Sequence, residues 1–106
     1  MNGGATVFTY ADWVIHEGRE DEFVQVWTEF VDWSATETDA ALGGMLLQES
    51  SDPRRFVSIG PWRSREEAYE WFQRADLQER SAPLRELAER FEPRFLELRV
   101  RRGQPA

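Results

Sequence analysis

The sequence predicts an α+β domain in which helices cover one face of a four-stranded antiparallel sheet, and three observations predict it. Residues 6–15, TVFTYADWVI, are apolar on both faces of an extended chain, with Val7, Ala11, Trp13 and Ile15 on one side and Phe8, Tyr10 and Val14 on the other, the pattern of a strand covered twice over. After the turn His16-Glu17-Gly18, Phe23, Val26, Trp27, Phe30 and Val31 recur at i, i+3, i+4, i+7 and i+8, one continuous helical stripe. The same strand-then-helix succession returns in the second half of the chain, so the plan is β-α-β-β-α(α)-β, the split β-α-β arrangement of the ferredoxin-like fold.

The remaining elements follow in order. The first helix fades in the polar run Ser34 to Asp39, and Gly43-Gly44 marks a turn before a second strand, MLLQES, at 45–50. Ser51-Asp52-Pro53-Arg54 is turn-forming and joins that strand to a third at Arg55 to Ile59, which Gly60-Pro61 should end because proline cannot donate to a ladder. Ser64 with Glu67 three residues later is a capping box, so Trp62-Arg63-Ser64 switches strand to helix. Ala68, Trp71, Phe72 and Ala75 space a second helix. Leu84, Leu87, Ala88 and Phe91 space a third, with Pro83 in its first turn and Pro93 as its stop. Residues 95–102, FLELRVRR, alternate as the last strand, with Leu96, Leu98 and Val100 on one face, and 103–106 read as a tail.

A chain of 106 residues is one domain with one core. Its net charge of −7 and lack of a Lys/Arg run argue against nucleic acid. The start has no basic segment and no long apolar run, so neither a signal peptide nor a membrane span is expected, and a cytoplasmic protein is. Without cysteine, thiolate nucleophiles and iron–sulfur clusters are excluded. A single histidine excludes a two-histidine iron triad, and there is no GxGxxG loop, so the expectation is no metal and no cofactor. The sheet face away from the helices is apolar in the first and third strands, and a homodimer with facing sheets would cover it.

The run W-R-S-R-E-E-A-Y-E-W, the arm DPRRFVSIG before it, the helix start G-R-E-D-E-F and the ending FEPRFLELRV together resemble the antibiotic biosynthesis monooxygenase family of dimeric α+β barrel proteins, over about residues 6–101. The resemblance implies one domain and a range of activities, among them cofactor-free oxygenation of polyketide aromatics, quinol oxidation and haem degradation. The polyketide oxygenases pair the junction Trp with an Asn four residues earlier, a Tyr on the next helix and an Arg in L-R-E. Trp62, Tyr69 and Arg85 are the counterparts here, with Ser58 at the Asn position and Tyr69 one residue later than the pattern. In the haem-degrading branch Trp71 has its counterpart, but the first-strand Asn and the iron-binding His fall on Ala11 and Ser81.

An oxygenase without a cofactor must let its substrate be the reductant. An electron-rich phenolic, quinol or polyketide-type aromatic, once deprotonated, can pass an electron to O₂. The protein then supplies a dry aromatic cavity, a proton acceptor and a donor for the anion. Trp62 and Trp71 are the expected walls, with Trp13, Trp27 and Ser58 as further substrate contacts. Tyr69 and Arg85 would orient the anion, and His16 or Asp12 would take the proton. Each has an ordinary structural reading: the indoles as core, Tyr69 and Arg85 as boundary residues on helix flanks, His16 as a solvated loop residue and Asp12 as a carboxylate paired with Arg99 or Arg101 across the dimer seam. A non-catalytic ligand-binding protein and a polyketide cyclase or isomerase are the alternatives.

Overall fold

The computed structural model describes residues 6–103; the last three residues of the expected tail lie outside them. Strands β1 (Val7–Ile15), β2 (Met45–Glu49), β3 (Asp52–Trp62) and β4 (Ala88–Glu97) form one sheet in the order β2-β3-β1-β4, with every neighbouring pair antiparallel. Helices α1 (Glu20–Glu37), α2 (Arg65–Phe72) and α3 (Leu77–Glu86) complete the ferredoxin-like α+β plan.

Strand β1 holds the centre. Val7, Ala11, Trp13 and Ile15 are buried, while Phe8, Tyr10, Asp12 and Val14 on the opposite face are partly covered. The fully buried Phe23 of α1 sits against this strand, its ring centroid 4.9 Å from Trp13 and 5.0 Å from Phe56. Ile15, Leu84 and Leu87 close this part of the core. A second buried group, Ala40, Trp62, Ala68, Trp71 and Leu77, lies toward the other end of the β1–β3 pair, and Phe30 packs against both groups.

Helix α1 ends at Glu37, within the polar run Ser34 to Asp39 as expected, and Ser34 stays helical because its hydroxyl donates to the Phe30 carbonyl at 2.9 Å. Several boundaries differ from those the sequence suggests. The β2–β3 turn is Ser50-Ser51, and Pro53 and Arg54 already belong to β3, where a register shift after Gln48 absorbs the extra residues. Gly60-Pro61 does not end β3. The Pro61 carbonyl accepts from Leu42 N–H at 2.9 Å on the side away from β1, so the missing proline donor is not one the β1 ladder needs. Helix α2 stops at Phe72, short of Ala75.

The largest differences lie at the C-terminal end. Helix α3 begins at Leu77, well before Pro83, and burial of Leu77 and Leu84 outweighs the proline inside it. Pro93 does not stop a helix. It sits inside β4, opposite Ala11. Leu98 N–H donates to Thr6 O at 2.8 Å, and alternation from that bond makes Ala11–Pro93 a pair that exchanges no backbone hydrogen bonds. The proline nitrogen therefore points off the sheet edge, where such a residue is tolerated. Ala88 and Phe91 are strand residues, and Leu98 and Val100 follow the strand.

The junction between β3 and α2 is a capping box. Glu67 N–H donates to Ser64 Oγ at 3.2 Å, the Ser64 hydroxyl donates to the Glu67 carboxylate at 3.0 Å, and Arg63 Nε donates to it at 2.9 Å. These bonds, Arg63 first and Ser64 second, hold the Glu67 carboxyl at about 2 against an ordinary 4.5. A depressed carboxyl contributes stability in full above its unfolded value and loses it as pH falls through its folded value. Thermal melts of wild type and Glu67→Gln should therefore differ at pH 7, and the gap should narrow as pH falls from about 4.5 toward about 2. A gap independent of pH would show that the ionised carboxylate does not hold the junction. In the core, Phe23→Ala should cost about 3–5 kcal/mol in chemical unfolding; a loss under about 1 kcal/mol would mean that the ring is not the packing centre described.

Candidate functional site

On the helix-facing side of β1 and β3, side chains run in rows set by the register: Val7 with Trp62, Thr9 with Gly60, Ala11 with Ser58, and Trp13 with Phe56. The outer rows are bulky and the two central rows are small. Helices resting on the bulky rows cannot fill the space over the small ones, and a cavity of about 520 Å³ remains there, within the range of small-molecule sites.

The cavity brings together six of the residues singled out in the sequence. Trp13, Trp27, Ser58, Trp62, Trp71 and Arg85 all line it. Trp13 comes from β1, Ser58 and Trp62 from β3, Trp27 from α1, Trp71 from α2 and Arg85 from α3. Gly44 packs beside Trp27: a Cβ there would lie 3.5 Å from the indole, an ordinary contact. Trp62 stands 6.2 Å from Trp71, centroid to centroid, at an interplanar angle of 43°.

The polar contacts within the lining are specific. Trp13 Nε1 donates to Ser58 Oγ at 2.9 Å, and Trp62 Nε1 donates to Thr9 Oγ1 at 3.2 Å. Both indole N–H groups are thus used by hydroxyls of the sheet. Ser58 has accepted a bond and keeps its own proton to donate. Arg85 Nη2 donates to the Gln78 carbonyl at 2.7 Å, which fixes the guanidinium on its own helix. No carboxylate of the described residues pairs with it.

Three candidates stand elsewhere. The Tyr69 ring is 46% exposed and meets Phe95 edge-on at 4.6 Å, outside the cavity that Phe95 lines. His16 lies just past the end of β1, exposed, with Nδ1 3.5 Å from the Glu89 carboxylate. Asp12 is on the opposite sheet face. Within the chain it pairs with Arg94, at 2.7 Å, the diagonal neighbour on β4 next to Glu92, which stands directly opposite it, and the sequence-based strand began too late to show that. Tyr10 O–H also donates to Asp12 at 3.2 Å, and burial, then the Asp12 charge, raises the phenol above its usual value.

Sequence reasoning missed Thr9, Phe91 and Phe95 as lining residues. Thr9 was legible from the alternation that puts it on the face of Ala11 and Trp13. Phe91 was hidden by a helical spacing that the chain does not use, although its ring stacks 4.4 Å from Trp13.

The charge of the lining is one-sided. The chain carries −7, yet among the described residues the charged ones lining the cavity are Arg85 and Arg94, with no Asp or Glu, and the Arg94 guanidinium lies on the opposite sheet face with Asp12 and Tyr10. Arg94 is compensated by Asp12; Arg85 is the cation left over.

Comparison with known proteins agrees with this architecture. The fold matches that of a point variant of SnoaB, a cofactor-independent oxygenase from Streptomyces nogalater, at TM-score 0.79 and 18% identity, covering 97% of this chain and 100% of that one. It also matches a conserved protein from Methanosarcina mazei Go1 at TM-score 0.75 and 11% identity, covering 90% and 94%. At such identities the likeness is one of fold. No curated protein matches the sequence significantly. The sequence profile of the antibiotic biosynthesis monooxygenase family matches residues 6–82, and with the fold and cavity in place the chain belongs to that family.

Proposed function

We propose that the protein is a cofactor-independent monooxygenase acting on an electron-rich phenolic, quinol or polyketide-type aromatic bound as its anion. The observation that carries this reading is the lining itself: indole faces around a void of about 520 Å³, with Arg85 as its uncompensated charge in a chain of net charge −7. Flat π surfaces suit a fused aromatic. A guanidinium at the cavity rim with no carboxylate partner among the described residues favours an oxyanion and lowers the pKa of the hydroxyl that yields it, although the Arg85 side chain is itself exposed. The SnoaB likeness supports the same chemistry by analogy of fold.

The residues divide the work as follows. Trp62, Trp71, Trp13 and Trp27 clamp the rings and exclude water. Ser58 donates to a second oxygen of the substrate, and Arg85 holds the phenolate or enolate. The anion gives one electron to O₂; the resulting radical and superoxide combine at a ring carbon that bears hydrogen. The peroxide loses that hydrogen as a proton and expels hydroxide, leaving a carbonyl and, in sum, water. No carboxylate or imidazole lines the cavity among the described residues, so the substrate proton leaves to solvent under the pull of Arg85 rather than to a buried base. That same lining gives a cyclase or isomerase little to shuttle protons with.

Oxygen uptake with a dihydroxynaphthalene or an anthrone tests the reading, and product without oxygen consumption would refute it. Arg85→Ala should slow turnover on the order of tenfold to a hundredfold, the loss of one charge-assisted hydrogen bond of about 1.5–3 kcal/mol. Stability should change by about 1 kcal/mol or less. Full activity in that variant would remove Arg85 from the site.

We also propose a homodimer. The sheet face opposite the helices presents Met45 and Leu47 from β2 and Leu96 from β4, all exposed, beside Phe8, Val57 and Ile59. A second copy laid sheet to sheet would bury this apolar surface. Light scattering at micromolar concentration should give twice the chain mass, and Leu47→Glu should give one chain mass. A wild-type monomer would contradict the arrangement.

A further inference from the structure

We infer that Thr9 is a positioning residue for Trp62: its hydroxyl takes the indole N–H and so fixes which face of the ring the cavity presents. Thr9 and Trp62 are diagonal neighbours on the helix-facing side of β1 and β3, since Val7 pairs with Trp62 and Thr9 with Gly60. Trp62 Nε1 donates to Thr9 Oγ1 at 3.2 Å, and the Thr9 hydroxyl in turn approaches the Gly60 carbonyl at 3.4 Å. Trp62 is 4% exposed, so an indole N–H without this partner would be a buried donor with nothing to bond, and the ring would turn to find an acceptor. Its aromatic neighbours Trp71 and Phe72 pack against it at centroid distances of 6.2 and 6.1 Å with tilted planes, but offer the N–H no acceptor.

Gly60 is part of the device. A Cβ at that position would come within 3.1 Å of Thr9 Oγ1, tighter than ordinary contact, so a side chain at residue 60 would press on the hydroxyl. Trp13 and Ser58 repeat the arrangement one step along the same pair, at 2.9 Å. The result is a cavity whose two strand-borne indoles offer π surface and no hydrogen, leaving ligand recognition to other polar residues of the lining, Ser58 and Arg85 among them. The consequence for substrate rests on the proposed aromatic reading; the positioning role does not.

The experiment follows the indole N–H resonances by proton–nitrogen NMR, with Trp62 assigned by the signal missing in Trp62→Phe. Thr9→Val keeps the side-chain shape and removes the hydroxyl, and should move the Trp62 resonance upfield more than any other indole. Thr9→Ser should restore it, and Gly60→Ala, which presses on the hydroxyl, should shift it as well. Binding of 9-fluorenone, read by tryptophan fluorescence, should weaken in Thr9→Val on the order of threefold to tenfold and recover in Thr9→Ser. A Trp62 resonance unmoved by Thr9→Val would overturn the proposal, as would a resonance that moves with fluorenone affinity unchanged. Wild-type protein that does not bind fluorenone would sink the aromatic reading, while the resonance would still decide the role of Thr9.

Discussion

The molecule depends on a contrast of side-chain size along one pair of strands. Trp13 with Phe56 and Trp62 with Val7 stand at the two ends of the helix-facing side, and Thr9, Gly60, Ala11 and Ser58 occupy the middle. Close packing is the rule in protein interiors, and the two core groups obey it around Phe23 and around Trp71. The helices are thereby propped at both ends, and the space between is a consequence of four small residues rather than of a missing element.

Electrostatics act on that space from the same few elements. The acidic surface is carried by helix faces and turns, and pairs such as Arg19–Glu22 and Arg90–Glu92 are exposed to water and weak. Around the cavity the balance reverses. Arg74 is held by Glu37 and Asp76 over the outer faces of Trp33 and Trp71, which ties the end of α1 to the α2–α3 connection beside the cavity. Arg85 has no such carboxylate among the described residues, and its charge is what a bound anion would meet.

Much of this was legible in the sequence because it rests on local periodicity. The stripe from Phe23 to Val31, the two-faced first strand and the Ser64–Glu67 box each carry their signal within ten residues, and so gave the fold and placed Trp62 at a strand-to-helix switch. What escaped depended on partners distant in the chain. Residues 84–91 have helical spacing, yet β1 recruits Ala88 onward as an edge strand, and only the pairing register shows that Pro93 faces Ala11 without a lost bond. Tyr69 lies on the second helix as expected, but the rotation of α2 aims it at Phe95 and the exterior. Arg85 and Trp71 share one space because α3 starts at Leu77, which no single-helix pattern reveals.

If the void is built by small side chains, filling it should be cheap for the fold and ruinous for the ligand. Ala11, buried in β1 and lining the cavity opposite Ser58, is the position to fill. Ala11→Leu, followed by chemical unfolding and by titration with a fused-ring aromatic, is the direct measurement. Stability equal to or above wild type with aromatic binding abolished is the predicted result, because the added methyl groups enter empty space and leave water. A loss of about 1–3 kcal/mol, the usual cost of overpacking a filled core, with aromatic binding retained, would show that no such cavity exists beside Ala11.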